Sequence, residues 1–348
     1  MCMQKKPHIL VDVDDVLFDC NGYALRLCSQ RTGKKYNIEN ITGWGLLGIP
    51  EDERLELFKD PEFFKKQRAY PGAKEFLKKL QKKAEVELAT SVPPEFMSIR
   101  GQRIYEELGF SLDRVIMAPR KASLRADMML DDGFHNLSSA GVKHPVLFRR
   151  PWNHGMSGMC AVNTYDQFLA LVDTVFYTRT SFDPEKAKVI CLLGPSGCGK
   201  NKIAKQLEGK VAGSGKGYIH LPTLRKAPGE EVSGSHFEET FYCGRYYASD
   251  IEPVNDVLRS DNHAVMVMDV TGCMAMRAAF PDRCVIAYVQ ADKRDCVRNT
   301  VEKWEQGTIS KEEMLDRICA VEVETKNKDL ADIEISIKDI SLLIDLAG

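Results

Sequence analysis

The chain has 348 residues, 44% of them hydrophobic, with 48 Lys plus Arg against 50 Asp plus Glu and a formal net charge of −2. That length suits two domains, and the apolar fraction is enough to bury real cores, which excludes a disordered or low-complexity chain. The charge balance lacks the basic stripe that non-specific nucleic-acid coating needs, and no run approaches the ~18 consecutive apolar residues of a membrane span.

In chain order, apolar runs at His8–Val13, Val86–Ala89, Val115–Ala118, Met128–Leu130 and Val146–Phe148 read as buried strands. Between them, Lys74–Lys83 and Ser98–Leu108 carry apolar residues at helical spacing. Strands alternating with helices predict a parallel sheet covered on both faces. Residues 18–70 break that rhythm; helix-leaning and aromatic (Phe18, Tyr23, Trp44, Phe58, Phe63, Phe64), they read as an insert after the first strand. The polar stretch 176–187 reads as a linker. A second strand, glycine loop and helix begin at Val189, followed by strands at Ala264–Met268 and Val285–Val289 and an amphipathic helix at Lys311–Glu324. The expected organisation is α/β throughout, with one domain over 1–175 and another, of different lineage, over 188–348. The 11 cysteines are scattered and form no CxxC pair, and the first residues carry no secretory apolar segment. Neither a zinc ribbon nor a disulfide framework is expected, and a cytoplasmic location is.

Carboxylates stand where the first strand ends, in Asp12-Val13-Asp14-Asp15. Ligands bind at the carboxyl ends of strands in open α/β sheets, and Asp12 and Asp14 share one side of an extended segment. Two anions so placed repel, and a hard cation such as Mg²⁺ relieves that repulsion. Asp131 and Asp132 follow a later strand and can complete a metal cage. Thr90 and Ser91 follow Val86–Ala89, and Lys121 follows Val115–Ala118; hydroxyls and an ammonium at strand ends suit a phosphoryl group.

The order DxD, T/S, K, DD resembles the haloacid-dehalogenase superfamily, and more closely the 5′(3′)-deoxyribonucleotidase family, over about 1–172. Tyr70-Pro71-Gly72-Ala73, the ten-residue step from Lys121 to Asp131, and Arg150-Pro151-Trp152-Asn153 support it. The resemblance implies a Rossmann-like domain with a helical cap over about 18–70. It also implies that Asp12 is the nucleophile forming an aspartyl-phosphate and Asp14 the general acid and base. Thr90 and Lys121, with Ser91 beside them, would hold phosphoryl oxygens. Asp131, the Asp12 carboxylate and the Asp14 backbone carbonyl would ligate Mg²⁺, with Asp132 a further ligand or support. Phe18 and Trp44 are the candidates for the nucleobase pocket. The family often carries an arginine two residues before the lysine; here that position is Pro119, with Arg120 next to Lys121.

Gly194-Pro195-Ser196-Gly197-Cys198-Gly199-Lys200-Asn201 follows the strand Val189–Leu193 and meets the G-x4-G-K pattern of a P-loop. Its backbone N–H groups and the helix start would cradle ATP phosphates, with Lys200 reaching the outer ones. Asn201 stands where Ser or Thr would ligate Mg²⁺; an amide oxygen can also ligate it, so the departure weakens the site without removing it. Over about 188–348 the chain resembles guanylate kinase: Thr223-Leu224-Arg225, Pro228-Gly229-Glu230, His236-Phe237, Gly244-Arg245-Tyr246-Tyr247, Met268-Asp269-Val270-Thr271-Gly272, and Gly307-Thr308 with Arg317. The resemblance implies that Arg225, Tyr247 and Asp269 face the acceptor and that Arg317 clamps transferred phosphate. It departs from the family at Ser235, at Gln306 and in the short segment Glu238–Cys243.

These readings combine into a bifunctional enzyme: a Mg²⁺-dependent nucleoside monophosphate phosphatase joined to an ATP-dependent nucleotide kinase. Two alternatives stay open: a polynucleotide kinase–phosphatase acting on nucleic-acid ends, and a nucleotidase whose degenerate kinase domain senses nucleotide or binds a partner. Small-molecule nucleotides are the expected partners, rather than membranes or nucleic acid, and a homodimer is an assembly the sequence leaves open.

Overall fold

The computed structural model describes residues 5–346 except 39–40, 42, 44–45, 119, 179–182, 184 and 227–235. Trp44, Pro119, Pro228-Gly229-Glu230, Ser235 and much of the expected linker therefore lie outside the described residues. The chain divides into two compact units, Met1–His154 with Cys160–Leu169, and Gly155–Met159 with Ala170–Gly348.

In the first unit, β1 (His8–Asp12), β2 (Glu85–Thr90), β3 (Val115–Met117), β4 (Arg125–Asp131), β5 (Gly141–Phe148) and β6 (Cys160–Val162) form one sheet. Its order is β3-β2-β1-β4-β5-β6 and every pairing is parallel. β5 is longer than the expected Val146–Phe148, and β6 is too short to stand out from its surroundings as an apolar run. Helix Ala73–Lys83 buries Ala73, Phe76, Leu77 and Leu80 and leaves Lys78, Lys79 and Lys82 in solvent. Helix Met97–Leu108 stops at Gly109, whose φ of +63° favours glycine. The insert forms helices Asn21–Thr32, Glu51–Phe58 and Pro61–Lys66. Leu25, Cys28, Leu57, Phe63 and Phe64 make its core, joined by Phe96 and Trp152.

The second unit holds β7 (Val189–Leu193), β8 (Tyr218–His220), β9 (Leu224–Lys226), β10 (Glu238–Tyr242), β11 (Arg245–Ser249), β12 (His263–Val267), β13 (Cys284–Gln290) and β14 (Ile333–Ser336). Five make a parallel sheet of order β14-β13-β7-β12-β8, in which all of β7 is buried. β10-β11-β9 form a separate antiparallel sheet that the apolar pattern had not announced, because its strands are half exposed and polar. Among the described residues no helix is long and apolar enough to cross a membrane.

Candidate functional sites

β1 lies between β2 and β4, and the register pairs Asp12 with Ala89 and Val11 with Leu130. Asp12, Thr90 and Asp131 therefore end three adjacent strands, at the point where the strand order reverses direction, which is where open α/β sheets bind ligands. Lys121 bridges two of them: Nζ lies 2.6 Å from Asp12 Oδ1 and 2.7 Å from Asp131 Oδ2. Asp12 Oδ1 also accepts the Val13 N–H at 2.6 Å. Asp131 Oδ1 accepts from the Gly133 N–H at 2.7 Å and from Asn136 Nδ2 at 3.1 Å. Trp152 Nε1 donates to Asp132 Oδ2 at 2.7 Å, and Asn153 Nδ2 donates to the Asp132 carbonyl at 2.9 Å.

Asp12, Asp131 and Asp132 each present an oxygen within 4.8 Å of the other two, and all three are buried. Asp132 Oδ1 is buried without a hydrogen-bond partner. Three anions against one ammonium, with an acceptor left over, fit a hard divalent cation. Burial first, and the Asp131 charge second, push Asp12 above the usual carboxylate range, with Lys121 opposing. Burial, then Asp15, raise Asp132 likewise. Burial works against the Lys121 ammonium, but Asp12 and Asp131 outweigh it and hold its pKa above the usual lysine value.

The Asp14 side chain stands apart from this cage. Its Oδ2 accepts from Thr90 Oγ1 at 3.1 Å and its Oδ1 from Arg100 Nη2 at 2.6 Å. Thr90, expected to hold phosphate, thus holds Asp14 here, and Ser91 lies exposed beside it. After Asp14 the chain turns through Asp15 at φ +57°. Asp15 Oδ1 takes the N–H groups of Cys20 and Asn21, and the Asp15 carbonyl takes Arg150 Nε at 2.6 Å. Phe18 differs from expectation: it is fully buried, with the Arg100 guanidinium over its ring, so it offers no open face to a base. Arg100 is a side chain of this site that sequence reasoning missed. A signal existed, because Phe96, Arg100, Ile104 and Leu108 recur every four residues, which puts an arginine on a buried helix stripe.

In the second unit the P-loop connects β7 to helix Lys200–Leu207. Gly194 and Gly197 have φ of +146° and +85°, and a Cβ on Gly197 would lie 2.3 Å from the Cys296 carbonyl, so only glycine fits there. Lys200 Nζ turns back onto the carbonyls of Gly194 and Pro195, while buried Cys198 lies beside it and Asn201 is exposed. The Ser196 N–H donates to Glu324 Oε2 at 2.8 Å, and Arg317 Nη1 to Ser196 Oγ at 3.0 Å. Arg317 Nη2 also reaches Tyr247 Oη at 3.2 Å. Buried Glu313 gathers Arg225, Arg245 and Arg317 at 2.8, 2.6 and 2.9 Å. Asp269 caps helix Val270–Ala279 through the Gly272 N–H. Burial, then Asp269, push Glu238 up to about 8. A cavity of about 780 Å³ is lined by the P-loop, Arg225, Tyr247, Asp269 and Arg317 together.

A family model described as 5′ nucleotidase, deoxy (Pyrimidine), cytosolic type C protein matches residues 6–176. Provisionally named 5′(3′)-deoxyribonucleotidases from two strains of Staphylococcus epidermidis are each 30% identical over 135 residues, spanning 36% of this chain and 74% of theirs. Among solved structures, a guanylate kinase from Anaplasma phagocytophilum aligns with 12% identity and a TM-score of 0.32, over 46% of this chain and 81% of that one. A provisionally named haloacid dehalogenase-like hydrolase from Burkholderia xenovorans aligns with 17% identity and a TM-score of 0.32, over 48% and 96%. Both scores are too low to bear on fold or function. The coverage of the Staphylococcus relatives at 30% identity identifies this chain, through its first unit, as a member of the 5′(3′)-deoxyribonucleotidase family, and the family model matched over 6–176 agrees.

Proposed function

We propose that the first unit hydrolyses nucleoside 5′-monophosphates, deoxyribonucleotides among them, through an aspartyl-phosphate. The observation that carries this reading is the buried set Asp12, Lys121, Asp131 and Asp132 at adjacent strand ends, with Asp14 held beside it. Lys121 and the Val13 N–H both engage Asp12 Oδ1, which fixes the nucleophile's orientation and spreads its charge. Asp12 attacks phosphorus while Asp14 gives its proton to the departing nucleoside oxygen; Asp14 then takes a proton from the water that cleaves the aspartyl-phosphate. Asp12, Asp131 and Asp132 would hold Mg²⁺, which supplies positive charge for the phosphoryl oxygens when bound. Phosphate release from a panel of nucleoside monophosphates, with Mg²⁺ and with EDTA, tests the reading; no release from any of them sinks it.

For the second unit the reading is ATP-dependent phosphoryl transfer to a phosphorylated small molecule. What favours it is one cavity lined by both the phosphate loop with Lys200 and the cationic pair Arg225 and Arg317. ATP would lie along Gly194–Asn201, and the acceptor toward Arg225, Tyr247 and Asp269. Acceptor-dependent ADP formation that vanishes in Lys200→Ala supports a kinase, whereas ATP binding with no transfer across nucleoside monophosphates and ribose bisphosphate favours a nucleotide sensor. The assignment of phosphatase to 1–175 and kinase to 188–348, and a cytoplasmic location, belong to the same proposal.

A further inference from the structure

The Arg100 side chain is fully buried, with Nη2 2.6 Å from Asp14 Oδ1. Its Cζ lies 5.3 Å from the Phe18 ring centroid and 5.6 Å from that of Phe64. Nε and Nη1 are buried with no hydrogen-bond partner. A guanidinium carries five N–H donors, and burying it with several unused is unfavourable. An apolar side chain would fill this space without that penalty, so packing does not account for an arginine. What arginine adds is one charge-assisted bond to Asp14. A carboxylate turns easily about its last torsion unless something holds it. Arg100 on Oδ1 and Thr90 on Oδ2 hold both oxygens, and the two aromatic faces keep the guanidinium itself from moving.

We propose that Arg100 is a positioning residue for proton transfer: clamped between Phe18 and Phe64, it fixes the Asp14 carboxylate toward the leaving oxygen of the substrate. The inference rests on the nucleotidase reading above. In the first step an Asp12 oxygen bonds to phosphorus and the phosphorus–nucleoside oxygen bond breaks. That oxygen keeps the electron pair and receives the Asp14 proton. In the second, a water oxygen bonds to phosphorus, Asp14 regains a proton from that water, and the bond from phosphorus to Asp12 breaks. Arg100 touches neither the Asp12 nucleophile nor, in this reading, the substrate, and acts only through Asp14.

The experiment compares a nucleoside 5′-monophosphate, whose alkoxide needs a proton to leave, with p-nitrophenyl phosphate, whose phenolate does not. Arg100→Met is expected to lower kcat/KM about 10²-fold on the nucleotide and less than about fivefold on the aryl ester, since only the first uses the acid. Arg100→Lys should recover about tenfold of the nucleotide loss, because an ammonium restores charge but not the planar fork. The Arg100→Met protein should unfold within a few degrees of the wild-type temperature, because the unpaired donors are gone while Asp14 is partly exposed and keeps its Thr90 bond. Equal losses on the two esters, no loss, or a loss that tracks a lowered unfolding temperature would overturn the inference while leaving the nucleotidase reading intact. Wild-type protein that releases no phosphate from nucleotides would remove that reading and this inference with it.

Discussion

Replacing Lys121 with Met leaves Asp12, Asp131 and Asp132 buried with no cation among them. In the wild type the ammonium sits 2.6 and 2.7 Å from two of these carboxylates, and each of the three paired side chains is at most 4% exposed. Removing one partner of a buried ion pair costs about 3–5 kcal/mol, because the remaining charges stay desolvated. For a unit of this size that is a fall of roughly 6–20 °C in unfolding temperature, at about 2–4 °C per kcal/mol. The cost should shrink in two ways. Burial already raises Asp12 and Asp132, and loss of Lys121 raises them further. A carboxyl raised in the folded state binds more protons there than when unfolded. Stability therefore falls as pH rises between the two pKa values, and lowering the pH brings Lys121→Met back toward wild type. A divalent cation, bound only by the folded cage, should rescue it as well. Trp152 donates to Asp132, so in a background with Trp44 and Trp304 replaced by Phe its fluorescence reports unfolding at the site itself. Melts with EDTA and with Mg²⁺, at pH 5.5 and 7.5, provide the comparison. A variant as stable as wild type in EDTA at pH 7.5, or a deficit indifferent to both pH and Mg²⁺, would refute the electrostatic account of this cage.

Asp12→Asn should abolish phosphate release from nucleotides while ATP binding stays unchanged, and Asp14→Asn should reduce release about 10²–10⁴-fold; radioactive phosphate release and equilibrium binding check the pair. Gly197→Ala should lose nucleotide binding measured by calorimetry, since the new methyl would meet the Cys296 carbonyl at 2.3 Å. Glu238, raised to about 8 in the fold, makes stability fall as pH climbs from about 4.5 to 8, because the folded state holds a proton that the unfolded chain has released. Glu238→Gln should flatten that decline in chemical unfolding curves recorded at several pH values; an unchanged slope would count against the burial of an ionisable Glu238.

Much of the sheet edge that carries the candidate site was legible because buried parallel strands are short apolar runs, and a polar or charged residue soon after such a run marks a strand end. Asp12, Thr90, Lys121 and Asp131 declared themselves this way, as did the P-loop through its glycines. Arg100 and Glu313 did not. Each sits inside an amphipathic helix, where a single charge reads as surface; the stripe through Arg100 hints at burial, but packing against Asp14 or against three arginines is what shows the partners. Phe18 misled for the opposite reason: an aromatic in an insert suggests an open ring, yet its neighbours close over it. The β9–β11 sheet escaped notice because half-exposed polar strands lack an apolar alternation.

The P-loop, as folded here, has two of its donors already occupied. Lys200 spends its donors on the carbonyls of Gly194 and Pro195, and Glu324 occupies the Ser196 N–H. A phosphate that engaged Lys200 Nζ or the Ser196 N–H would displace a resident at each, so entry at these two donors would be an exchange of partners. Exchanges of this kind are nearly neutral in hydrogen bonding. Affinity then depends on what the residents cannot imitate, namely the second negative charge of a phosphate and the burial of whatever is attached to it. A loop that binds this way would disfavour singly charged anions of similar size, with Glu324 as the competing carboxylate at the Ser196 N–H.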